Sequence, residues 1–286
     1  MNEWILQHEP TLRLGAFLGI FTLMAVAETL FPRRERHLPR RRRWPHNLGL
    51  VAVNTVLLRI LFPTAAVGVA AYAAQQHWGL LPWLSLPAPM AFLAAVILMD
   101  LAIYLQHVMF HAVPALWRLH RVHHADLDYD VTTGARFHPI EIILSMLIKF
   151  AVIAALGPPV AAVVAFEVIL NAMAMFNHAN LRLPSAVDRV LRWIVVTPDM
   201  HRVHHSVEDD EANSNFGFNL SWWDRLLGTY REQPRGGHQG MTLGIRTFRD
   251  PKTCATLPGM LLIPFKGPVA GYAINRRRWQ REGDDT

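Results

Sequence analysis

Apolar residues in this chain run in long, nearly unbroken stretches rather than in an alternating or helical-face rhythm, and about 20 such residues cross a bilayer as a helix. Five stretches qualify, roughly 11–31, 47–74, 90–110, 140–157 and 159–177. The pattern predicts an all-α integral membrane bundle of about four to five segments. The first stretch ends at Phe31-Pro32 against an arginine-rich block, Arg33 to Arg43, so the positive-inside rule places 32–46 in the cytoplasm and the amino-terminal end outside. The second then runs outward to a segment marked by Trp78, Pro82, Trp83, Pro87 and Pro89, too proline-rich for a helix. The third returns, and the turn Gly157-Pro158-Pro159 separates the fourth from the fifth. Residues 111–139 and 178–286 are thereby cytoplasmic; treating the last two stretches as a re-entrant hairpin changes the number of spans but not the side.

Charge inside such spans needs a partner. Lys149 and Glu167 each stand nine residues from Pro158, so an antiparallel hairpin brings them to one depth as an ion pair. The last apolar run, Leu257 to Phe265, is too short to span and is expected at the interface, followed by Arg276-Arg277-Arg278. The first residues, with Glu3, Glu9 and Pro10, do not read as a removed signal peptide.

Composition narrows the class further. The chain is 52% hydrophobic and 17% charged, unusual for a soluble protein of 286 residues. Its net charge of +6 is no nucleic-acid signature, because seven of the 28 Lys and Arg fall within Arg33 to Arg43, between two apolar stretches. Cys254 is the only cysteine, which excludes an intramolecular disulfide and a multi-thiolate zinc site. A metal must be held by nitrogen or oxygen.

Histidine supplies the nitrogen. Of 15 histidines, ten lie between His107 and His205. His107 and His111, four apart, share a helical face at the inner end of the third stretch. His120-Arg121-Val122-His123-His124 follows, and the same pentapeptide recurs as His201-Arg202-Val203-His204-His205. On a helix the three histidines of each pentapeptide occupy one broad face suited to chelation. His138 opens the fourth stretch and His178 closes the fifth, where a ligand role and a capping or hydrogen-bonding role both remain open. The topology, assigned without reference to histidine, puts all ten on one side. Eight to ten imidazoles exceed what one ion uses, so two metals with four or five nitrogens each are expected. Imidazole suits iron, copper, nickel and zinc alike. His8, His37, His46, His77 and His238 are expected at the surface or the membrane interface.

The order HxxxH, HxxHH, HxxHH, with Phe137-His138-Pro139 and Asn177-His178-Ala179-Asn180 between and Asn219-Leu220-Ser221-Trp222-Trp223-Asp224-Arg225-Leu226-Leu227-Gly228-Thr229-Tyr230 after, resembles the fatty acid hydroxylase and sterol desaturase superfamily. The resemblance covers about 90–235, which would be the catalytic domain. Residues 1–89 would then be amino-terminal membrane helices with the arginine-rich loop, and 236–286 a cytoplasmic or interfacial tail. It implies a cytoplasmic helical cap holding two iron ions on His107, His111, His120, His123, His124, His201, His204 and His205, with His138 and His178 as further ligands. It also implies O2 as co-substrate, a lipid substrate (fatty acyl, sterol-like, ether lipid or carotenoid), and electrons from a separate ferredoxin-like or cytochrome-type donor. Hydroxylation and desaturation share the pattern.

Around the cluster, Asp100 lies on the face of His107 and either orients a ligand or substrate or pairs with Arg59. Asp199 and Asp224 are further candidates to hold ligand rings, with Asp126, Asp128, Asp130, Glu208 and Asp209 available or merely solvated. Rival readings are a membrane zinc hydrolase, a bis-histidine haem electron-transfer protein and a metal-binding or transport protein. The first lacks the HExxH glutamate, since position 108 is valine; the second leaves the doubled pentapeptide unexplained; the third calls for ligands near the bilayer midplane. Alanine- and arginine-rich composition suggests a bacterial inner membrane.

Overall fold

The computed structural model describes residues 2–269. Five helical stretches in it are long and apolar enough to cross a membrane: Gln7–Leu30, Arg40–Trp83, Ala88–Ala112, Pro139–Leu156 and Val160–Asn177. The chain is an integral membrane protein. Among the described residues there is no extended strand, only isolated bridges such as Pro32 with Leu181. Helix α1 (Asn2–Leu30) packs on α8 (Val160–Asn177), and its apolar side chains, Leu14, Leu18 and Leu23 among them, stay exposed to face lipid.

The second stretch departs from the sequence expectation. It is not one helix but α2 (Arg40–Leu61) and α3 (Ala65–Gln75). Pro63 cannot donate to the helical ladder, and Ala65 takes a left-handed φ of 50° at the restart. The proline-rich loop beyond also holds one turn, α4 (Leu80–Trp83). At this end of the bundle Gly157, φ 60°, closes α7 (Pro139–Leu156). A Cβ there would lie 1.9 Å from the Trp78 carbonyl oxygen, so only glycine lets the loop seat against the hairpin. Lys149 Nζ does meet Glu167, at 2.8 Å, and Arg13 joins the same carboxylate at 3.0 Å.

At the opposite end the helices carry a cap. Val113, extended at φ −94° and ψ 117°, with Pro114 at the first helical position, breaks α5 (Ala88–Ala112) from α6 (Pro114–His124). The cap continues through α9 (Ser185–Leu191), α10 (Pro198–His204), α11 (Asp209–Ala212) and α12 (Trp222–Leu226). Thr197 Oγ1 accepts from Met200 N to start α10, with Pro198 next.

The arginine block is partly internal. Arg43 is fully buried, its guanidinium on Asp126 (2.6 and 2.9 Å) and Asp130 (2.5 Å). Asp128 accepts from the backbone N–H groups of His37 and Leu38. These acids are therefore neither a solvated loop nor supports of ligand rings. They staple the loop after α6 to the start of α2. The tail likewise differs from a purely interfacial segment: Met260 and Ile263 are buried in a core with Leu50, Trp117 and Val122. Arg121 donates to the carbonyls of Ile263 (2.7 Å) and Pro268 (2.9 Å), while Leu262 and Phe265 face outward. Arg276 to Arg278 lie outside the described residues.

Candidate metal centre

The end of α5, α6, the residue after α8, and α10 converge on one buried volume. Two groups of imidazoles form there, His107, His111, His120, His124 and His204 in one and His123, His178, His201 and His205 in the other, with one nitrogen from each ring of a group within 4.8 Å of the rest. The two pentapeptides contribute in complementary fashion. His120 and His124, four apart, serve the first group and His123 the second, whereas in the other copy His201 and His205 serve the second group and His204 the first. Residues i and i+4 share a helix face while i+3 lies round its edge, so two helices facing each other across the centre divide their rings between two positions.

Hydrogen bonds identify the inward nitrogen. Carbonyl oxygens only accept, so Nδ1–H of His107 donates to Phe216 O (2.8 Å), of His178 to Ala174 O (2.7 Å) and of His204 to Ser214 O (2.8 Å). His120 Nδ1 donates to Glu141 Oε1 (2.6 Å) and His111 Nδ1 to Asn213 Oδ1 (3.2 Å). In each neutral ring Nε2 is then a bare lone pair. His178 Nε2 lies 3.1 Å from His201 Nε2 and 3.2 Å from His123 Nε2, the latter two being rings whose Nδ1 atoms have no hydrogen-bond partner among the described residues. Yet His107 Nε2 lies 3.1 Å from His120 Nε2, and in both rings Nδ1 is the donor. Two lone pairs cannot hydrogen-bond each other. Nitrogens at right angles around an ion with metal–nitrogen bonds of about 2.0–2.1 Å stand about 3 Å apart, which accounts for the spacing.

Protonation is equally telling. Burial pushes His120 down to about 3, and burial does the same to His178 against the opposing hydrogen bond to Ala174 O and with His107 and His120 adding to it. His123, His124, His201, His204 and His205 are held well below the usual imidazole range by burial first and by neighbouring histidines second. Neutral imidazole is the ligating form. His204 Nε2 and His205 Nε2 are buried with no hydrogen-bond partner among the described residues. The donor set fits a metal in each group.

His138 is not brought into either group. It caps α7, Nδ1 accepting from Ile140 N at 3.2 Å with Nε2 3.3 Å from Leu261 O. Asp100 accepts from Trp223 Nε1 (2.8 Å) and Leu220 N (3.2 Å) rather than pairing with Arg59 or touching a ligand ring. Asp199 binds Arg33 and Arg202, not a ligand. Asp224 acts through the backbone: it accepts from Phe216 N (2.7 Å), Gly217 N (2.8 Å) and Thr229 Oγ1 (2.7 Å), fixing the carbonyl that holds His107. His238, expected at the surface, is buried beside Asp199.

Glu141 and the carbonyls of Ala174, Ser214 and Phe216 were not legible as ring supports. Glu141 follows His138 by three residues, and only the fold of α7 across α6 shows that it serves His120. Glu141→Gln keeps the size but loses the charge opposite Nδ1–H, and is expected to lower metal affinity about 10- to 100-fold; metal titration of the purified variant checks this. Gly134 is the second such support. A Cβ there would lie 2.4 Å from Ala174 O and 3.0 Å from His178 Nδ1, wedging open the bond that orients His178. Gly134→Ala should release metal from the four-imidazole group first, visible as a fall in bound metal during dialysis against a chelator.

Beside the rings a cavity of about 310 Å³ opens between α1, α2, α5, α7 and α8. Its inner wall is His107, His120 and His123 with Phe110, Phe137 and Phe218; Phe137 stacks on His123 at 4.6 Å.

A family model described as fatty acid hydroxylase matches residues 92–229, the stretch from α5 to just beyond α12 that carries every grouped imidazole. Over this stretch the chain is similar to the fatty acid hydroxylase family. It is similar to the ornithine lipid hydroxylase OlsE of Rhizobium tropici, 31% identical over 178 residues, 61% of this chain and 51% of that protein. It is also similar to alkylglycerol monooxygenase of Xenopus tropicalis, 28% identical over 205 residues (71% and 45%), and to cholesterol 25-hydroxylase of Mus musculus, 25% identical over 145 residues (50% and 47%). The chain thus spans about half the length of these curated relatives. No solved structure is significantly similar to it.

Proposed function

We propose that this chain is a lipid hydroxylase that holds two iron ions, one on His107, His111, His120, His124 and His204 and one on His123, His178, His201 and His205. The observation that carries this reading is the pair of lone-pair Nε2 atoms of His107 and His120 at 3.1 Å, each ring fixed from behind. Bound iron would supply dioxygen activation and removal of hydrogen from an unactivated carbon. The overall change is R–H + O2 + two electrons + two protons to R–OH + H2O, the electrons coming from a separate one-electron carrier protein. The named relatives are hydroxylases and monooxygenases of lipids, which favours hydroxylation over desaturation.

The chain's own residues orient and exclude. Glu141, Asn213 and three backbone carbonyls hold His107, His111, His120, His178 and His204 with Nε2 inward, so none of these five rings needs to turn or lose a proton to bind metal. Phe110, Phe137 and Phe218 keep the inner cavity apolar where a C–H bond would be presented. The arginine block supports a cytoplasmic cap through the positive-inside rule, and the alanine- and arginine-rich composition supports a bacterial inner membrane.

The test is incubation of the full chain, reconstituted in lipid with iron, dioxygen labelled with heavy oxygen, and a ferredoxin system. The expected result is about two irons per chain and one labelled oxygen in a lipid. One tightly held zinc with hydrolytic activity would overturn the proposal.

A further inference from the structure

Where α1 ends, the chain turns through 31–39 and lays arginines around an open hollow of about 940 Å³. Arg33, Arg34, Arg36 and Arg182 line it with a single acid, Glu35, and none of its lining residues belongs to the cavity beside the imidazoles. Arg33 is answered by Asp199 at 2.9 Å, a carboxylate it shares with Arg202. Arg34, Arg36 and Arg182 form no ion pair among the described residues. Arg34 is only 8% exposed, yet its Nε and Nη1 are buried without a hydrogen-bond partner, as is Nη1 of Arg36. Burial first and Arg202 second push the Arg34 guanidinium below its usual range. Asp128 opposes them, but its two oxygens already accept from the backbone N–H groups of His37 and Leu38. The adjoining hollow, which shares Arg33 and Arg182, is nearly balanced by contrast: Asp188, Asp199 and Glu232 stand there against those two with Arg189 and Arg192.

A guanidinium buried without an acceptor is costly unless an anion supplies one. The loop that carries it is fixed: Arg33 N and Arg34 N donate to Asn180 at 2.9 and 3.1 Å, and Asn180 Nδ2 donates back to Arg34 O at 2.8 Å. The hollow is therefore preformed. Its place in the bundle says which anion it suits. The wall begins at Pro32, two residues past Leu30, where the first span ends, and Leu30 and Phe31 are exposed. This sets the arginines at head-group depth, with an apolar surface leading to them from the hydrocarbon. Basic hollows at that depth take the phosphates of anionic lipids. A flat protein surface would reach the exposed Arg182 but not the buried Arg34, and a soluble anion would make no use of Leu30 and Phe31. We propose that this hollow binds the phosphate of an anionic phospholipid from the adjoining leaflet, whose acyl chains run along Leu30 and Phe31. The site is separate from the metal centre and does not depend on the hydroxylase reading.

The test is equilibrium binding to the full, metal-loaded chain in an uncharged detergent, with three probes: short-chain phosphatidylglycerol, short-chain phosphatidylcholine and inorganic phosphate. Phosphatidylglycerol should bind ten-fold or more tighter than either, because the zwitterion carries no net charge and phosphate alone carries no apolar chain. Each arginine near an anionic lipid is worth several-fold in affinity. Arg36→Gln with Arg182→Gln, which leaves the buried Arg34 in place, should therefore lower phosphatidylglycerol affinity about ten-fold or more with bound metal unchanged. Arg41→Gln with Arg42→Gln removes the same charge from exposed positions outside the hollow and should leave the affinity within about two-fold. Equal affinity for the two phospholipids overturns the proposal, and so does an equal loss in both double variants, which would show diffuse attraction rather than a site. Inorganic phosphate bound as tightly as phosphatidylglycerol makes this a soluble-anion site and overturns the lipid. An acidic ferredoxin that loses affinity in the first double variant while phosphatidylglycerol does not makes it a protein interface instead. If the first double variant does not fold, the wild type and the Arg41, Arg42 variant still decide between a lipid site and its absence.

Discussion

Alanine in place of His204 is expected to remove metal from the five-imidazole group and to abolish hydroxylation. His204 is the sole contribution of the second pentapeptide to that group; its Nδ1 is fixed by Ser214 O at 2.8 Å and its Nε2 has no other partner. Its loss opens a coordination position, and no other histidine of α10 can replace it, because His201 and His205 lie on the face that serves the other group. Loss of a supporting residue alone costs about 10- to 100-fold, so loss of a ligand should exceed a hundred-fold in activity. Metal content should drop from about two toward about one per chain. His138→Ala is the matched control: its nitrogens are engaged with Ile140 N and Leu261 O, so bound metal should stay the same. Metal analysis and lipid oxidation measured on one membrane preparation decide, and full activity of His204→Ala would refute the ligand assignment.

Arg43→Ala should be the most damaging change outside the ligands. The guanidinium, fully buried, answers Asp126 and Asp130, which are buried too. Removing one partner of such a cluster costs about 3–5 kcal/mol, because the remaining charges are stranded. Burial pushes the Asp126 carboxyl up, but Arg43 and Arg136 outweigh it and hold it down at about 2. A depressed carboxylate contributes stability that is fully present above its unfolded value of about 3.9 and is lost as pH falls through about 2. The wild-type contribution is therefore constant from neutral pH to mild acid, whereas the carboxylates stranded by Arg43→Ala are pushed up by burial and take up protons there, so the penalty should be largest near neutral pH and shrink in mild acid. The same loop carries Gly134 against His178, so metal loss should accompany the fall in melting temperature. Adding Asp126→Asn and Asp130→Asn should recover part of it by removing the stranded charges. A single variant that melts with the wild type would show the cluster to be energetically idle.

What the sequence by itself determined was the class of molecule and the imidazoles available to hold a metal. Continuous apolar stretches require a lipid-facing helix because the backbone has no other partner in hydrocarbon, and an imidazole-rich, cysteine-poor chain admits few ways to hold a metal. The Lys149–Glu167 pair was equally legible, since two spans joined by a tight Gly-Pro-Pro turn leave no freedom of register. Pattern could not show the break at Pro63, which sits inside apolar residues on both sides, nor that Arg43 turns inward while Arg41 and Arg42 stay exposed. Tertiary structure alone decided how nine imidazoles divide between two positions, that His138 stands apart from them, and that Glu141, Gly134 and Asp224 hold the rings. The reason is physical. Helical periodicity states which residues of one helix share a face, but which of the two groups an imidazole joins depends on how α5, α6 and α10 face one another, and backbone carbonyls that fix a ring leave no mark in the identity of any residue.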